Sequence, residues 1–237
     1  MSDQSKKIAS ILTFFAIAIS VRYYIDVIKP NFLLDLHLYL QILLLGIGPL
    51  IGGLVVVKFL KRPNFLKIFG LNFWKTIVIV SIPMILFSLV GVIENGIPSL
   101  NLLKIIGIFI LYALFEEYGW RGYLQSELSD LKKFYKYLII TVLWFVWHLN
   151  LELSLNNLIF FLLLFAGSYG IGFIADRSKS LVMSALFHSF FNIGQNPLLG
   201  EVQLNYKLII IAISAISAIL IMRYGENKNT SISKINV

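Results

Sequence analysis

The chain has no cysteine among its 237 residues, which excludes disulfides, thiolate nucleophiles, thiolate metal sites and iron–sulfur clusters. Acids are scarce as well, with 12 Asp and Glu against 20 Lys and Arg and a formal net charge of +8. In a soluble protein such a balance points to nucleic acid. Here the basic residues punctuate apolar runs instead of forming one face, so their partner is the cytoplasmic surface of a lipid bilayer, and no nucleic-acid partner is expected.

What replaces charge is hydrocarbon. Hydrophobic residues make up 58% of the chain and the mean hydropathy is +0.84, far above the roughly 45–50% apolar content of a soluble domain. The first apolar run, Ile8 to about Ile28, follows Lys6 and Lys7 like a signal peptide. It is long enough to span, and no small-residue A-x-A cleavage pattern follows, so it reads as a first transmembrane helix. With a ruler of about 20 residues per crossing, eight helices are predicted, at roughly 8–28, 37–60, 74–93, 101–125, 136–152, 156–175, 180–196 and 205–223. The expected fold is all-α and polytopic.

The basic residues provide a second test of that topology. With the N-terminus cytoplasmic, sixteen Lys and Arg fall in inner segments and four, Arg22, Lys29, Lys104 and Lys207, fall towards the outside. This asymmetry agrees with the positive-inside rule and puts both termini in the cytoplasm. One membrane domain, 1–224, is expected, followed by a disordered cytoplasmic tail, 225–237, rich in Asn, Ser and Lys. There is no internal repeat and no pair of broken helices of the transporter kind.

Three polar clusters interrupt the apolar helices: Glu116-Glu117-Tyr118-Gly119-Trp120-Arg121, Trp144-Phe145-Val146-Trp147-His148 and His188-Ser189-Phe190-Phe191-Asn192. A charged group at the centre of a bilayer costs at least about 2.5 kcal/mol, which makes such residues functional candidates. Glu117 and Arg121 are four apart on one helix face, acid before base, as a stabilising pair requires. Glu116 is rotated by about 100° and points elsewhere. Trp144 and His148 share a face, as do His188 and Asn192. Counted at 1.5 Å per residue from the inner ends, Glu116 lies about 9 Å deep, His188 about 12 Å and His148 about 16 Å.

A glutamate, two histidines and an asparagine suit the activation of water: a carboxylate takes the proton, an imidazole orients the water or protonates a leaving amine, and His or Asn donors hold an oxyanion. The set Glu116, His148 and His188 is also a possible zinc ligand set, although no H-E-x-x-H helix is present. No cofactor is expected, with zinc as the alternative. A proton-coupled carrier using Glu116, His148 and His188 as a relay, and a non-catalytic immunity or scaffold protein, are the competing readings. Gly167-Ser168-Tyr169-Gly170 is not a serine elbow, because Ala166 breaks G-x-S-x-G, and Gly170-Ile171-Gly172-Phe173 lacks the aspartate of a G-x-G-D protease. These small residues more simply permit close helix contact. His37 reads as interfacial, and Trp120, Trp144 and Trp147 as packing residues.

The order E-E-x-x-x-R, aromatic-x-x-x-H, H-x-x-x-N resembles the CAAX prenyl endopeptidase and bacteriocin-processing (CPBP/Abi) family of intramembrane proteases, most specifically at E-E-Y-G-W-R-G-Y-L, 116–124. The resemblance implies a glutamate-dependent endopeptidase of the cell membrane with eight helices and a site open to the cytoplasm. Glu116 would be the base with His148 beside it, and His188 and Asn192 would form the oxyanion site. Glu117, Arg121 and Trp144 would support them. The substrate would be a membrane-associated peptide or protein. In eukaryotes the family trims prenylated C-termini, whereas many prokaryotic members look tied to bacteriocin or pheromone maturation, self-immunity or signalling.

Overall fold

The computed structural model describes residues 2–70, 72–95, 100–195 and 203–235. Its elements are α1 (Asp3–Tyr23), continued by a π-turn Tyr24–Ile28, then α2 (Asn31–Leu34), α3 (Leu38–Leu45), α4 (Ile47–Lys58), α5 (Phe73–Asn95) and α6 (Leu100–Glu117). A second π segment, Tyr118–Leu124, leads into α7 (Gln125–Glu127), α8 (Lys133–Trp147), α9 (Leu155–Ser178), α10 (Leu181–Gln195) and α11 (Leu204–Ile235). Among the described residues there is no strand, only one isolated bridge between Lys67 and Ser180. The fold is all-helical.

Each predicted span has a helical counterpart, but among the described residues three helices, α1 with its π-turn, α9 and the first part of α11, are long and apolar enough to cross a membrane by themselves. The pair α3 and α4 makes a fourth if its 44° bend is bridged. The bend has a local cause: α3 ends at Gly46, and Pro49 sits in the first turn of α4, where its missing N–H removes no helical hydrogen bond. In α6, Lys104, Glu116 and Glu117 put three charges into 18 residues.

Helix α8 stops at Trp147, five residues before the predicted end. Its last turn closes on the His148 N–H, and Leu149 takes a left-handed backbone, φ 59°. At 15 residues it is about 22 Å long, short of the roughly 30 Å hydrocarbon core. Conversely, α11 runs on through the polar segment after Gly225 to Ile235, where a disordered tail was expected; residues 236 and 237 lie outside the described residues.

Helices α1 and α4 press together backbone to backbone. A Cβ on Gly52 would sit 2.7 Å from the Phe14 carbonyl oxygen, so the contact admits only glycine. Of the small residues in α9, Gly172 is equally tight, against Tyr137, while a Cβ on Gly170 would meet nothing. At one end of the bundle the 61–70 loop clamps the start of α10: Leu181 N–H donates to the Lys67 carbonyl at 2.9 Å and Val182 N–H to that of Ile68 at 3.1 Å. These bonds satisfy amide groups that a helix N-terminus leaves open. On the same side Arg62 donates to the buried Glu127 carboxylate, which holds the guanidinium above its ordinary value.

Candidate functional site

The two glutamates end α6, and the chain then widens into the π segment. The Gln125 N–H reaches back five residues to the Trp120 carbonyl, the bond that defines a π turn. Gly119 makes this segment possible, since a Cβ there would lie 2.4 Å from the Pro49 carbonyl oxygen. The segment is buried from Gly119 to Leu124 against α4, and this fixes the direction in which Glu116, Glu117 and Arg121 project.

Glu117 and Arg121 form the pair that their spacing predicts. Arg121 Nη1 donates to Glu117 Oε1 at 2.9 Å, and both side chains are fully buried. The same oxygen accepts from His188 Nδ1 at 2.7 Å, so α10 is tied to α6 through one carboxylate. The second Glu117 oxygen, and Arg121 Nε and Nη2, have no partner. The Arg121 guanidinium instead lies 4.7 Å from the centre of the Trp144 ring, a cation–π contact that compensates part of its desolvation.

Glu116 is held differently. Its Oε2 accepts from Trp144 Nε1 at 2.9 Å, across from α8. Trp144 is therefore more than packing: its ring contacts both Arg121 and His188, the latter with ring centres 5.1 Å apart, while its indole N–H holds the other glutamate. His148 folds back on its own helix, Nδ1 lying 2.8 Å from the Trp144 carbonyl oxygen. A carbonyl only accepts, so Nδ1 carries the hydrogen and Nε2 keeps a lone pair.

A cavity of about 340 Å³ lies beside these groups, walled by Tyr112, Trp144, His148, His188 and Asn192 together with apolar residues of α3, α6, α9 and α10. Leu163 of α9 and Phe191 of α10 in its wall are 45% and 47% exposed, so the wall includes residues that also belong to the outer surface of the bundle. The Asn192 amide nitrogen is buried without a partner. Glu116, 1% exposed, does not itself line the cavity but contacts two residues that do, Trp144 and Tyr112, and is within electrostatic range of His148.

The sequence-predicted residues thus come together, with two differences from the spacing argument. His188 is bound to Glu117, the glutamate assigned to Arg121 alone, and Trp144 is a hydrogen-bond donor to Glu116. Two residues were missed. Tyr112, one turn before Glu116, faces both that carboxylate and Arg22, and Arg22, counted among the outward cations, lines the cavity. Tyr112 carries an i,i+4 signal toward Glu116; nothing in the sequence links Arg22 to α6. Among the described residues no three His, Asp or Glu side chains are grouped as metal ligands, so Glu116, His148 and His188 are not gathered as a zinc site.

The comparison with known families falls on this region. Residues 98–194 match the family model for type II CAAX prenyl endopeptidase Rce1-like proteins. Over these residues the chain is similar to Rce1-like proteins. The match takes in all three polar clusters, from Glu116 to Asn192, and supports an endopeptidase at the level of the family. The first five helices and α11 lie outside the matched residues. No curated protein matches the chain significantly.

Proposed function

We propose that the protein is a glutamate-dependent intramembrane endopeptidase that hydrolyses a peptide bond in a membrane-associated peptide or protein. Glu116, with one oxygen held by Trp144, takes a proton from water as the water oxygen attacks the scissile carbonyl. His148 orients that water through Nε2, and the proton taken by Glu116 is then relayed through Nε2 to the nitrogen that leaves as the C–N bond breaks, so that Glu116 is ionised again at the end. His188, as an imidazolium paired with Glu117, donates from Nε2 to the carbonyl oxygen together with the Asn192 amide. Glu117 and Arg121 position His188, so they act through another residue. The step uses no metal; zinc on Glu116, His148 and His188 is the alternative form of the same reaction.

The observation that carries this reading is the pairing of His188 Nδ1 with Glu117 Oε1 at 2.7 Å beside an unpartnered Asn192 amide, within the residues similar to Rce1-like proteins. A histidine oriented by a carboxylate next to a free donor is an arrangement for stabilising developing negative charge. The surface exposure of the wall residues Leu163 and Phe191 suits a substrate delivered from the bilayer. The remaining parts of the reading are eight spans, both termini and the site on the cytoplasmic side of the cell membrane, and one domain over 1–224. CAAX-type trimming and bacteriocin or pheromone processing, including self-immunity, are the substrate settings the family suggests. Purified protein incubated with a membrane-delivered peptide library tests the reading by mass spectrometry: new termini are expected, and their absence, or uptake of protons into liposomes lost on His148→Ala, contradicts it.

A further inference from the structure

Among the described residues that line the cavity, Arg22 is the one arginine or lysine, and the reaction above, which uses His188 as its cation, does not use it. Arg22, near the end of α1, lines the cavity with Tyr112, His148, His188 and Asn192. Its side chain is only 12% exposed. Nη2 donates to Asp26 at 3.1 Å, Nη1 makes a long 3.4 Å bond to the Leu45 carbonyl, and the guanidinium lies 4.8 Å from the Trp147 ring centre. Nε is buried with no partner. A guanidinium has five donors in a planar fork, and these contacts leave part of the fork unused.

Among the described residues no carboxylate lines the wall: Glu116 is not part of it, and Asp26, in the π-turn that continues α1, is the more exposed member of its pair with Arg22. A largely apolar cavity with a guanidinium that has surplus donors is complementary to an anion, and a guanidinium fork fits a carboxylate bidentately. An ionised Glu116 close by repels a substrate carboxylate, so a substrate bearing one needs a compensating cation inside the cavity. Among the described residues of the wall, Arg22 is that cation. Its distance from the scissile bond follows from Tyr112, whose hydroxyl faces both Glu116 and Arg22. That sharing limits the separation to on the order of two extended residues, at roughly 3.3–3.6 Å each.

We propose that Arg22 is a specificity-determining residue that binds a substrate carboxylate about two residues beyond the scissile bond. The carboxylate comes either from a free C-terminus or from an acidic side chain at that position. The position of the scissile bond rests on the endopeptidase reading; the binding of the carboxylate does not. The test is therefore made on binding, in the inactive Glu116→Gln background in nanodiscs, with N-acylated apolar hexapeptides that differ only at the end: a free acid, an amide, and an amide with Asp as last residue. The acid is expected to bind about tenfold more tightly than the plain amide, and Arg22→Gln is expected to erase that advantage. If the Asp amide binds like the acid, the receptor reads a carboxylate of either source; if it binds like the plain amide, it reads the chain terminus. Asp26→Asn, which removes only the neighbouring acid, is expected to keep or increase the preference. Equal binding of acid and amide, or a preference that survives Arg22→Gln, overturns the proposal. Cleavage by the wild type is scored separately, so failure of the protease reading leaves the result on Arg22 intact.

Discussion

His188 on α10 donates from Nδ1 to Glu117 Oε1, 2.7 Å away, and Arg121 donates to that same oxygen from one helical turn beyond it at 2.9 Å. One buried carboxylate therefore balances a guanidinium and aims an imidazole. Removing it strands both. Glu117→Gln is expected to destabilise the protein by about 3–5 kcal/mol, the usual cost of leaving one partner of a buried pair alone. The double variant Glu117→Gln, Arg121→Met is expected to recover much of that loss. Thermal melting in one detergent, over the four members of the cycle, checks it; additive losses contradict it.

Trp144→Phe keeps a ring over Arg121 and against His188 but removes the N–H that holds Glu116. A hydrogen bond to a charged group is worth about 1.5–3 kcal/mol, so turnover is expected to fall by about ten- to a hundredfold at nearly unchanged melting temperature. Peptide-cleavage kinetics beside a melting curve separate this from a packing defect, which would move the melting temperature first.

The pH dependence of the bundle end that holds the N-terminus is set at a surface pair. Lys7 donates to Asp130 and holds its carboxyl below the ordinary carboxylate value, tying α1 to the turn before α8. A depressed folded-state pKa contributes stability above the unfolded value and loses it as pH falls through the folded one. Hydrogen exchange in the first turns of α1 is expected to quicken on acidification below the ordinary carboxylate range, and Asp130→Asn to flatten that dependence. An unchanged profile in Asp130→Asn contradicts it.

The spacing of particular residues explains how much was legible in advance. Glu117 with Arg121 and His188 with Asn192 are i,i+4 pairs, which helical geometry alone puts on one face. The bond from His188 to Glu117 joins residues 71 apart, and only the packing of α10 on α6 creates it. The apolar runs located the helices, because burial of hydrocarbon follows composition. Their ends depended on single backbone choices: Leu149 in the left-handed region stops α8, and the π segment after Glu117 has no pattern that distinguishes it from α-helix. Arg22 was not recognised as a cavity residue because the charge rule counts a cation by its position in the chain. Its side chain turns inward to the cavity, and hydropathy carries no record of that.

Metal content bears on the same site. Both histidines commit Nδ1 to other acceptors, and among the described residues no ligand trio is gathered. Elemental analysis of purified, cleavage-active protein is expected to find zinc well below one equivalent, with turnover unaffected by a strong chelator. Stoichiometric zinc together with chelator-sensitive turnover would assign the reaction to the metal form.

The account depends most on Glu116 as the base that activates water. General-base catalysis contributes typically 10²–10⁴-fold. The most direct measurement is kcat/KM for one identified cleavage, compared between the wild type and Glu116→Gln, whose near-identical shape preserves the Trp144 contact. A loss of at least about a hundredfold at unchanged folding is predicted. A Glu116→Gln protein that cuts at the wild-type rate would contradict it.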